Sequence, residues 1–132
     1  MKEFFPQAWR KQLARIDKRQ IEDWGFGVIA LDDAARVVLF NSAEERLSGL
    51  PRAEVIGRDF FVEVAPCTAS RLFRGRYLKA RAQGQLDEHF FYTFTYRIRP
   101  ISAHVHMLHD RNQSPLVFFF LDRVVPLFED LA

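Results

Sequence analysis

The sequence predicts an α+β fold, in which a five-stranded antiparallel sheet is flanked by helices and preceded by an N-terminal helical segment. Three observations lead to this prediction: two short apolar runs joined by a turn, helical patterns in the middle of the chain, and three consecutive strand patterns near its end. Strands at both ends can form a single sheet with the helices on one face. With 132 residues, the chain has room for one compact domain.

The N-terminal stretch has the pattern of an amphipathic helix. Residues 8–24 contain neither Gly nor Pro, and their apolar side chains fall roughly on one helical stripe: Trp9, Leu13, Ile16, Ile21 and Trp24. We assign residues 1–25 to an N-terminal cap with this helical structure. Its apolar stripe could pack on its own domain or on a second copy of the chain, so the alternatives include a homodimer formed through this segment.

A hairpin and a capped helix are predicted next. Apolar runs at residues 26–31 and 36–40 flank a polar turn, a pattern typical of two antiparallel strands. Asn41 suits a helix N-cap, and Glu44 follows three positions later, as in a capping box. Gly49 marks the end of this helix, because glycine favours the left-handed conformation that follows many helix C-termini.

Two more helices are predicted in the middle of the chain. Pro51 suits the first turn of a short helix that ends at Gly57. An apolar connector follows at residues 59–68. The spacing of apolar side chains then predicts a longer helix over residues 69–83, which ends at Gly84.

Three strand patterns complete the sheet. Residues 90–99 and 101–108 alternate between two kinds of side chain, which indicates strands with one buried face. Residues 116–121 are continuously apolar, which suits a central strand. We therefore assign residues 26–125 to the domain that contains the sheet and residues 126–132 to a short C-terminal tail.

Composition and charge narrow the classes of function. The 19 Lys and Arg residues nearly balance the 17 Asp and Glu residues, and the net charge of +2 gives no strong field for nucleic acid or a membrane surface. No apolar stretch reaches the roughly 20 residues of a membrane span. A single cysteine excludes an intrachain disulfide framework and favours a reducing compartment. We expect a cytoplasmic protein with neither nucleic acid nor a membrane as partner.

The stretch around the single cysteine carries the most specific motif: Phe60-Phe61-x-x-Val64-Ala65-Pro66-Cys67-Thr68. Weaker matches lie on both sides of it: Phe26-Gly27 with Asp32, Asn41-x-Ala43-Glu44, Ser48-Gly49, Val55-Ile56-Gly57, Tyr92-Thr93-Phe94, Pro100 and Val105-His106-Met107. Together these residues resemble the photoactive yellow protein family, within the PAS domain superfamily. The resemblance runs without obvious gaps over residues 26–107.

This resemblance implies a PAS fold and the function of a blue-light photoreceptor. In the family, p-coumaric acid (4-hydroxycinnamic acid) is held by a thioester, here on Cys67, and a protonated acid, matched by Glu44, donates a hydrogen bond to its phenolate. Light-driven trans–cis isomerisation and transfer of the Glu44 proton then give the signalling state. The resemblance also implies a set of chromophore-binding residues: Phe40, Glu44, Ser48, Leu50, Phe60, Phe61, Ala65, Pro66, Thr68, Phe94 and Ile98.

Four of these positions depart from the family. Phe40 stands where the family has a tyrosine, and so lacks the hydroxyl that gives the phenolate a second hydrogen bond. Since a hydrogen bond to a charged group contributes about 1.5 to 3 kcal/mol, we predict a phenol pKa raised by about one to two units and a mixture of neutral and ionised chromophore. Ser48 replaces a threonine and Leu50 an arginine. Ile98 replaces a methionine associated with thermal re-isomerisation, which predicts slow recovery in the dark.

The two central residues also have ordinary structural explanations. Cys67 could be a buried structural cysteine, and Glu44 could be an exposed carboxylate that stabilises a helix start. Phe40 and Leu50 favour a second function, a chromophore-free PAS module that binds another small ligand or a protein. We expect no enzyme activity, because the chain lacks a glycine-rich phosphate loop and a His placed to activate Cys67. The expected partners are the small-molecule chromophore and a downstream signalling protein of unknown identity.

Three histidines late in the chain raise the question of a metal site. His104 and His106 occupy alternate positions of a predicted strand, so they point to one face, and His109 follows. A metal site needs a third strong ligand in a defined place, which the sequence does not show. We therefore predict a solvated sheet face at these residues and no metal site.

Overall fold

The first strand of the chain pairs with the last, which joins the strands from both ends into one sheet. The computed structural model describes residue 5, residues 7–95 and residues 100–124. Its strands are β1 (Gly27–Leu31), β2 (Val37–Phe40), β3 (Gln85–Thr95), β4 (Pro100–Asp110) and β5 (Val117–Arg123). They form a five-stranded antiparallel sheet in the order β2-β1-β5-β4-β3, which confirms the predicted fold class.

Short helices connect the strands. They are α1 (Lys18–Ile21), α2 (Ser42–Ser48), α3 (Arg52–Val55) and α4 (Arg74–Gln83), together with 3-10 turns at Gln7–Lys11, Leu13–Arg15 and Pro66–Thr68 and a π-type turn at Phe60–Val64. Left-handed glycines confirm the predicted ends of α2 and α4, with φ of 75° at both Gly49 and Gly84. Among the described residues, no helix has the length and apolar character needed to cross a membrane.

The longest of these helices, α4, begins later than residue 69, where the sequence predicts its start. The Phe73 amide donates to the Ser70 hydroxyl over 3.3 Å, and the Gly75 amide donates to the Ser70 carbonyl over 3.0 Å. These bonds form turns between the 3-10 turn at Pro66–Thr68 and the helix. Cys67 therefore lies outside α4, in a turn of its own.

The predicted N-terminal helical segment is present, but as three short pieces rather than one helix. The break comes at Asp17, whose backbone is extended and whose side chain accepts hydrogen bonds from the amides of Arg19 and Gln20. The Gln20 side chain accepts in return from the Asp17 amide over 3.2 Å. This capping box starts a new helix in the middle of the stretch, so the helical stripe cannot continue through it.

Both faces of the central strands are covered. The hydrophobic cluster on one face draws residues from the sheet, α3, α4 and the connector between them, including Ile29, Val55, Phe60, Phe73, Tyr77 and Phe119. The cluster on the other face joins the N-terminal segment to the sheet, through Phe5, Leu13, Ile16, Ile21, Val28, Phe118 and Phe120. The apolar stripe of the segment therefore packs on its own domain, and the homodimer stays a prediction.

The histidines of β4 are buried, so the predicted solvated face is wrong. His104, His106 and His109 are 8%, 0% and 3% exposed. The N-terminal segment covers His106, and the ring centroid of Phe5 lies 6.0 Å from that of His106. Burial lowers the pKa of all three histidines, to about 4 for His106. The alternation within β4 could not reveal this, because the covering segment lies far away in the sequence.

Asn41 joins three elements of the fold through its buried side chain. Its Oδ1 accepts hydrogen bonds from the amides of Val28 (2.9 Å) and Glu44 (3.0 Å), and its Nδ2 donates to the carbonyls of Ile21 (2.8 Å) and Phe26 (3.0 Å). The predicted N-cap is thus confirmed. The same side chain also binds α2 to β1 and to the N-terminal segment.

Replacement of this side chain should destabilise the whole domain. Asn41→Ala leaves buried backbone groups unpaired in three elements, so we expect the free energy of unfolding to fall by about 2 to 4 kcal/mol. Urea unfolding measures this change. The matched control is Asn112→Ala in the exposed turn after β4, which should change the stability by less than about 0.5 kcal/mol. Equal effects of the two substitutions would contradict the role assigned to Asn41.

Candidate functional site

Glu44 lies in the first turn of α2 and points into the protein. Its side chain is 0% exposed, and neither carboxyl oxygen has a hydrogen-bond partner among the described residues. Desolvation by burial raises the pKa of the carboxyl from 4.5 to about 8. Glu44 is therefore mostly protonated at neutral pH. The alternative of an exposed carboxylate at a helix start is wrong.

The inward direction of Glu44 follows from the strand that precedes α2. In a capping box, the third helical residue accepts a hydrogen bond from the N-cap amide. Here the Asn41 amide already donates to the Val28 carbonyl of β1 over 3.2 Å. With that donor occupied, the Glu44 carboxyl turns towards the sheet instead of back to the cap.

Gly27 on β1 provides the space for the carboxyl. A Cβ at this position would lie 2.2 Å from Oε1 of Glu44, far inside any permitted contact. Glycine within a strand often marks such a close approach. The sequence places Gly27 in the family motif but gives it no part in the site, and its position within a strand pattern was the signal that could have identified it.

Ser48 and Phe40 flank Glu44 along the chain. The Ser48 hydroxyl donates to the Glu44 carbonyl over 2.7 Å and accepts from the Leu50 amide over 3.1 Å. Its proton is thus committed to the backbone at the end of α2. Phe40, the last residue of β2, is 3% exposed and belongs to the same hydrophobic cluster as Phe60 and Phe61.

Cys67 lies in the 3-10 turn at Pro66–Thr68, with its free thiol half-buried. Pro66 opens the turn. Both the amide and the hydroxyl of Thr68 donate to the Ala65 carbonyl, over 2.9 Å and 2.7 Å. Ala65, Pro66 and Thr68, all predicted to bind the chromophore, therefore also fix the backbone that carries the thiol.

Tyr92 holds the same turn from β3. Its hydroxyl donates to the Cys67 carbonyl over 2.5 Å and lies 2.9 Å from the Ser70 hydroxyl. The sequence places Tyr92 in a predicted strand and in a weak match to the family but gives it no part in the site. A signal was available, because Tyr92 falls on the inward face between Phe90 and Phe94, and a tyrosine hydroxyl turned inward needs a hydrogen-bond partner.

A cavity of about 280 Å³ opens beside Cys67. It brings together four of the predicted site residues, Leu50, Ala65, Pro66 and Cys67, and its other lining residues are Glu54, Val55, Glu63, Val64 and Thr95. Leu50, which stands where the family has an arginine, contributes an uncharged side chain to the wall. Glu54 and Glu63 are the exposed acidic residues of the lining, and Glu63 forms an ion pair with Arg58 over 3.9 Å.

The predicted aromatic residues lie in the core next to this cavity rather than on its wall. Phe60, Phe61 and Phe94 belong to the hydrophobic cluster against which Cys67 and Leu50 also pack. The rings of Phe60 and Phe61 meet edge to face, with centroids 5.2 Å apart. Phe73, which the sequence does not single out, lies among them. Ile98 lies outside the described residues, so slow recovery in the dark stays a prediction.

Comparison with known proteins identifies the family. A family model described as the PAS fold matches residues 16–124. Photoactive yellow protein from Halochromatium salexigens is 40% identical over 95 residues, which cover 72% of this chain and 76% of that protein. The photoactive yellow protein of Rhodothalassium salexigens is 39% identical with the same coverage.

Solved structures agree with this assignment. The photoactive yellow protein domain from the sensor histidine kinase Ppr of Rhodospirillum centenum superposes with a TM-score of 0.77 at 29% identity, over 86% of this chain and 98% of that domain. The PAS domain of the quorum-sensing receptor RpfR from Cronobacter turicensis, in complex with BDSF, shares the fold, with a TM-score of 0.61 at 18% identity over 76% of this chain and 95% of that one. The chain belongs to the photoactive yellow protein family of PAS domains, and its role is that of a photoreceptor-like or sensory domain.

Proposed function

We propose that this chain is a blue-light photoreceptor that carries p-coumaric acid as a thioester on Cys67. The observation that carries the proposal is the Glu44 carboxyl, which is buried, mostly protonated and without a hydrogen-bond partner among the described residues. Burial of such a group unpaired costs about 1 to 3 kcal/mol, so protein cores rarely contain one. A phenolic oxygen from a group on Cys67 would supply the partner.

The residues around Cys67 fit an aromatic acyl group. The thiol borders a cavity whose walls include the apolar side chains of Leu50, Val64 and Ala65. The adjoining core is rich in aromatic rings, which favour contact with a planar ligand. Tyr92 and Thr68 fix the turn that carries the thiol, so the point of attachment is rigid.

When bound, the group supplies the absorption of blue light and a double bond that isomerises from trans to cis. Glu44 would hold a proton on its carboxyl in the dark state and would pass it, after isomerisation, to the phenolate oxygen that it faces, which leaves a neutral phenol and a Glu44 carboxylate. The carboxylate that remains lies in a core without a described partner. A buried charge of this kind costs on the order of several kcal/mol, which is free energy available for a structural change.

Asn41 provides the path by which that change would reach the N-terminal segment. Its Oδ1 accepts from the Glu44 amide, and its Nδ2 donates to the Ile21 carbonyl. A charged Glu44 that moves towards water would disturb both hydrogen bonds. We infer that the signalling state has a loosened N-terminal segment, whose surface a downstream signalling protein could read.

A second candidate is the chromophore-free PAS module, which binds another small ligand or a protein and could form a dimer through its N-terminal segment. Two observations favour it. Phe40 brings no hydroxyl into the core, and the Ser48 hydroxyl already donates to the backbone. In both candidates the chain is a cytoplasmic sensor and has no enzyme activity.

Attachment of the chromophore is the direct test of the proposal. The full chain, incubated with an activated ester of p-coumaric acid, should gain the mass of one hydroxycinnamoyl group on Cys67 and become coloured. Mass spectrometry of the intact chain and of its peptides measures this. Cys67→Ser, which keeps the size of the side chain, should gain nothing. An unchanged chain that formed no adduct would favour the chromophore-free module.

The buried acid predicts a pH dependence in the chromophore-free chain. The pKa of Glu44 is about 8 in the folded state and near 4.5 in the unfolded chain, so the folded state binds an extra proton between these values. The contribution of Glu44 to the free energy of unfolding therefore falls as the pH rises through this window, by at most about 1.4 kcal/mol per pH unit. Urea unfolding at several pH values should show that Glu44→Gln becomes more stable relative to the unchanged chain as the pH rises through this window.

The matched control for this experiment is Glu54→Gln, which replaces an exposed carboxylate at the rim of the cavity. It should retain the pH dependence of the unchanged chain. Other groups whose protonation changes with pH are common to all three proteins and cancel in the comparison. If the free energy of unfolding of Glu44→Gln and of the unchanged chain depended on pH in the same way, Glu44 would not be the group that holds the extra proton.

The missing hydroxyl at position 40 predicts a spectral effect in the chromophore-bound protein. The unchanged chain should hold a mixture of ionised and neutral phenol, with absorption partly to the blue of the yellow band. Phe40→Tyr should lower the phenol pKa by about one to two units, because it adds a hydrogen bond to the phenolate. Absorption titration measures both.

Phe91→Tyr is the control for Phe40→Tyr, since it adds the same hydroxyl to a ring on β3 that is 62% exposed. Its titration curve should match that of the unchanged chain. A single ionised form in the unchanged chain from mildly acid pH upward would contradict the effect assigned to Phe40.

A further inference from the structure

The register of β3 and β4 places three histidines and one aspartate, all of which can bind metal ions, on one face of the sheet. His89 pairs directly with His106, and Phe91 pairs with His104. Asp87 precedes His89 by two residues, as His104 precedes His106. Because side chains two apart on a strand share a face, Asp87, His89, His104 and His106 all lie on the face that the N-terminal segment covers.

These side chains are already in contact. Asp87 Oδ1 lies 2.7 Å from His106 Nε2, and His89 Nδ1 lies 3.0 Å from His104 Nε2. The rings of His89 and His106 stack with centroids 4.0 Å apart. One ligand atom from each of Asp87, His89 and His106 falls within 4.8 Å of the others. The group is therefore close to the spacing of ligands around one ion.

A second observation points to a ligand at this place. The His106 ring is fully buried, and its Nδ1 has no hydrogen-bond partner among the described residues. The rings of Phe5 and Phe120 lie beside it, 6.0 Å and 5.8 Å away by centroids, while its Nε2 contacts Asp87 and its face stacks on His89. A polar ring in such surroundings needs a reason beyond packing, because burial of an unpaired nitrogen is unfavourable.

We propose that Asp87, His89 and His106 bind a divalent transition metal ion of the zinc type. Two imidazoles and one carboxylate are ligands that suit zinc, with a fourth position left for water. Ligand atoms around tetrahedral zinc lie about 3.3 Å apart, so the three groups need to approach one another only a little from their present spacing to bind one ion. The hydrogen bond between His89 Nδ1 and His104 Nε2 would orient the ring of His89, as outer partners commonly do in metal sites.

The site has access from solvent and a connection to the N-terminal segment. Asp87 has a side chain that is 50% exposed, and it lines a cleft of about 480 Å³ together with Arg10 and Leu13. The other oxygen of Asp87, Oδ2, contacts the Arg10 guanidinium of the segment. A metal ion would thus join β3 to β4 and hold the carboxylate that Arg10 binds. The proposal does not depend on the chromophore.

Titration of the tag-free full chain with zinc chloride tests the site by calorimetry. We expect one ion per chain, with affinity weakened at least about tenfold in Asp87→Asn and in His89→Ala. Both positions are at least partly exposed, so these variants should fold, which circular dichroism checks. Zinc should raise Tm of the unchanged chain and not that of His89→Ala, because binding stabilises only the protein that contains the site.

Two control variants separate this site from other ligands. Glu88→Gln removes the next carboxylate of β3, which faces Arg76 and Lys79 on α4, and should leave zinc affinity unchanged. Cys67→Ser should also leave it unchanged, because the thiol is not a ligand of this site. The proposal is overturned by absence of saturable binding, by equal affinity in Asp87→Asn and His89→Ala, or by loss of binding in Cys67→Ser.

Discussion

The four hydrogen bonds of the Asn41 side chain are the constraint on which the candidate site depends. They fix where α2 begins relative to β1, and they attach the N-terminal segment to both. The backbone amide of the same residue bonds to β1, which deprives Glu44 of its usual role in a helix cap. A residue that starts a helix thereby also determines that an acid enters the core.

Among the described residues, no group forms a hydrogen bond with the buried carboxyl of Glu44. Phe40 has no hydroxyl, and the Ser48 hydroxyl donates its hydrogen bond to the Glu44 backbone carbonyl. The Tyr92 hydroxyl does not contribute either, because it donates to the Cys67 carbonyl and so supports the turn of Cys67 rather than the acid. In the mechanism proposed above, the chemistry therefore depends on the single proton of Glu44. A protein organised in this way is sensitive to any change that moves water towards that carboxyl.

Much of the fold could be predicted from the sequence because its signals are local. The alternation in β3, the apolar run of β5 and the glycines that end α2 and α4 each act within a few residues. The N-terminal segment was harder, because its apolar stripe predicts one helix while Asp17 and Gln20 interrupt it with a cap. The Asp17-x-x-Gln20 pattern of that cap is present in the sequence, but the prediction of one helix rested on the apolar stripe alone.

The parts of the site that escaped prediction depend on contacts between distant residues. The direction of Glu44 depends on a strand hydrogen bond, and the burial of His106 depends on a segment about a hundred residues earlier in the chain. Tyr92 acquires its role only when β3 passes the turn of Cys67. Patterns within one element cannot report such contacts, whereas the resemblance to a family could indicate Cys67 and Glu44 without them.

Gly27 is the clearest case of a site feature that depends on a residue distant in the sequence. Its lack of a side chain is what admits the Glu44 carboxyl, since a single methyl group there would occupy the place of Oε1. The affinity of Glu44, on α2, for its proton thus depends on a residue of β1 that carries no functional group at all. A larger residue in place of this glycine would displace the Glu44 carboxyl and so change its pKa, although the substitution alters no atom of the carboxyl itself.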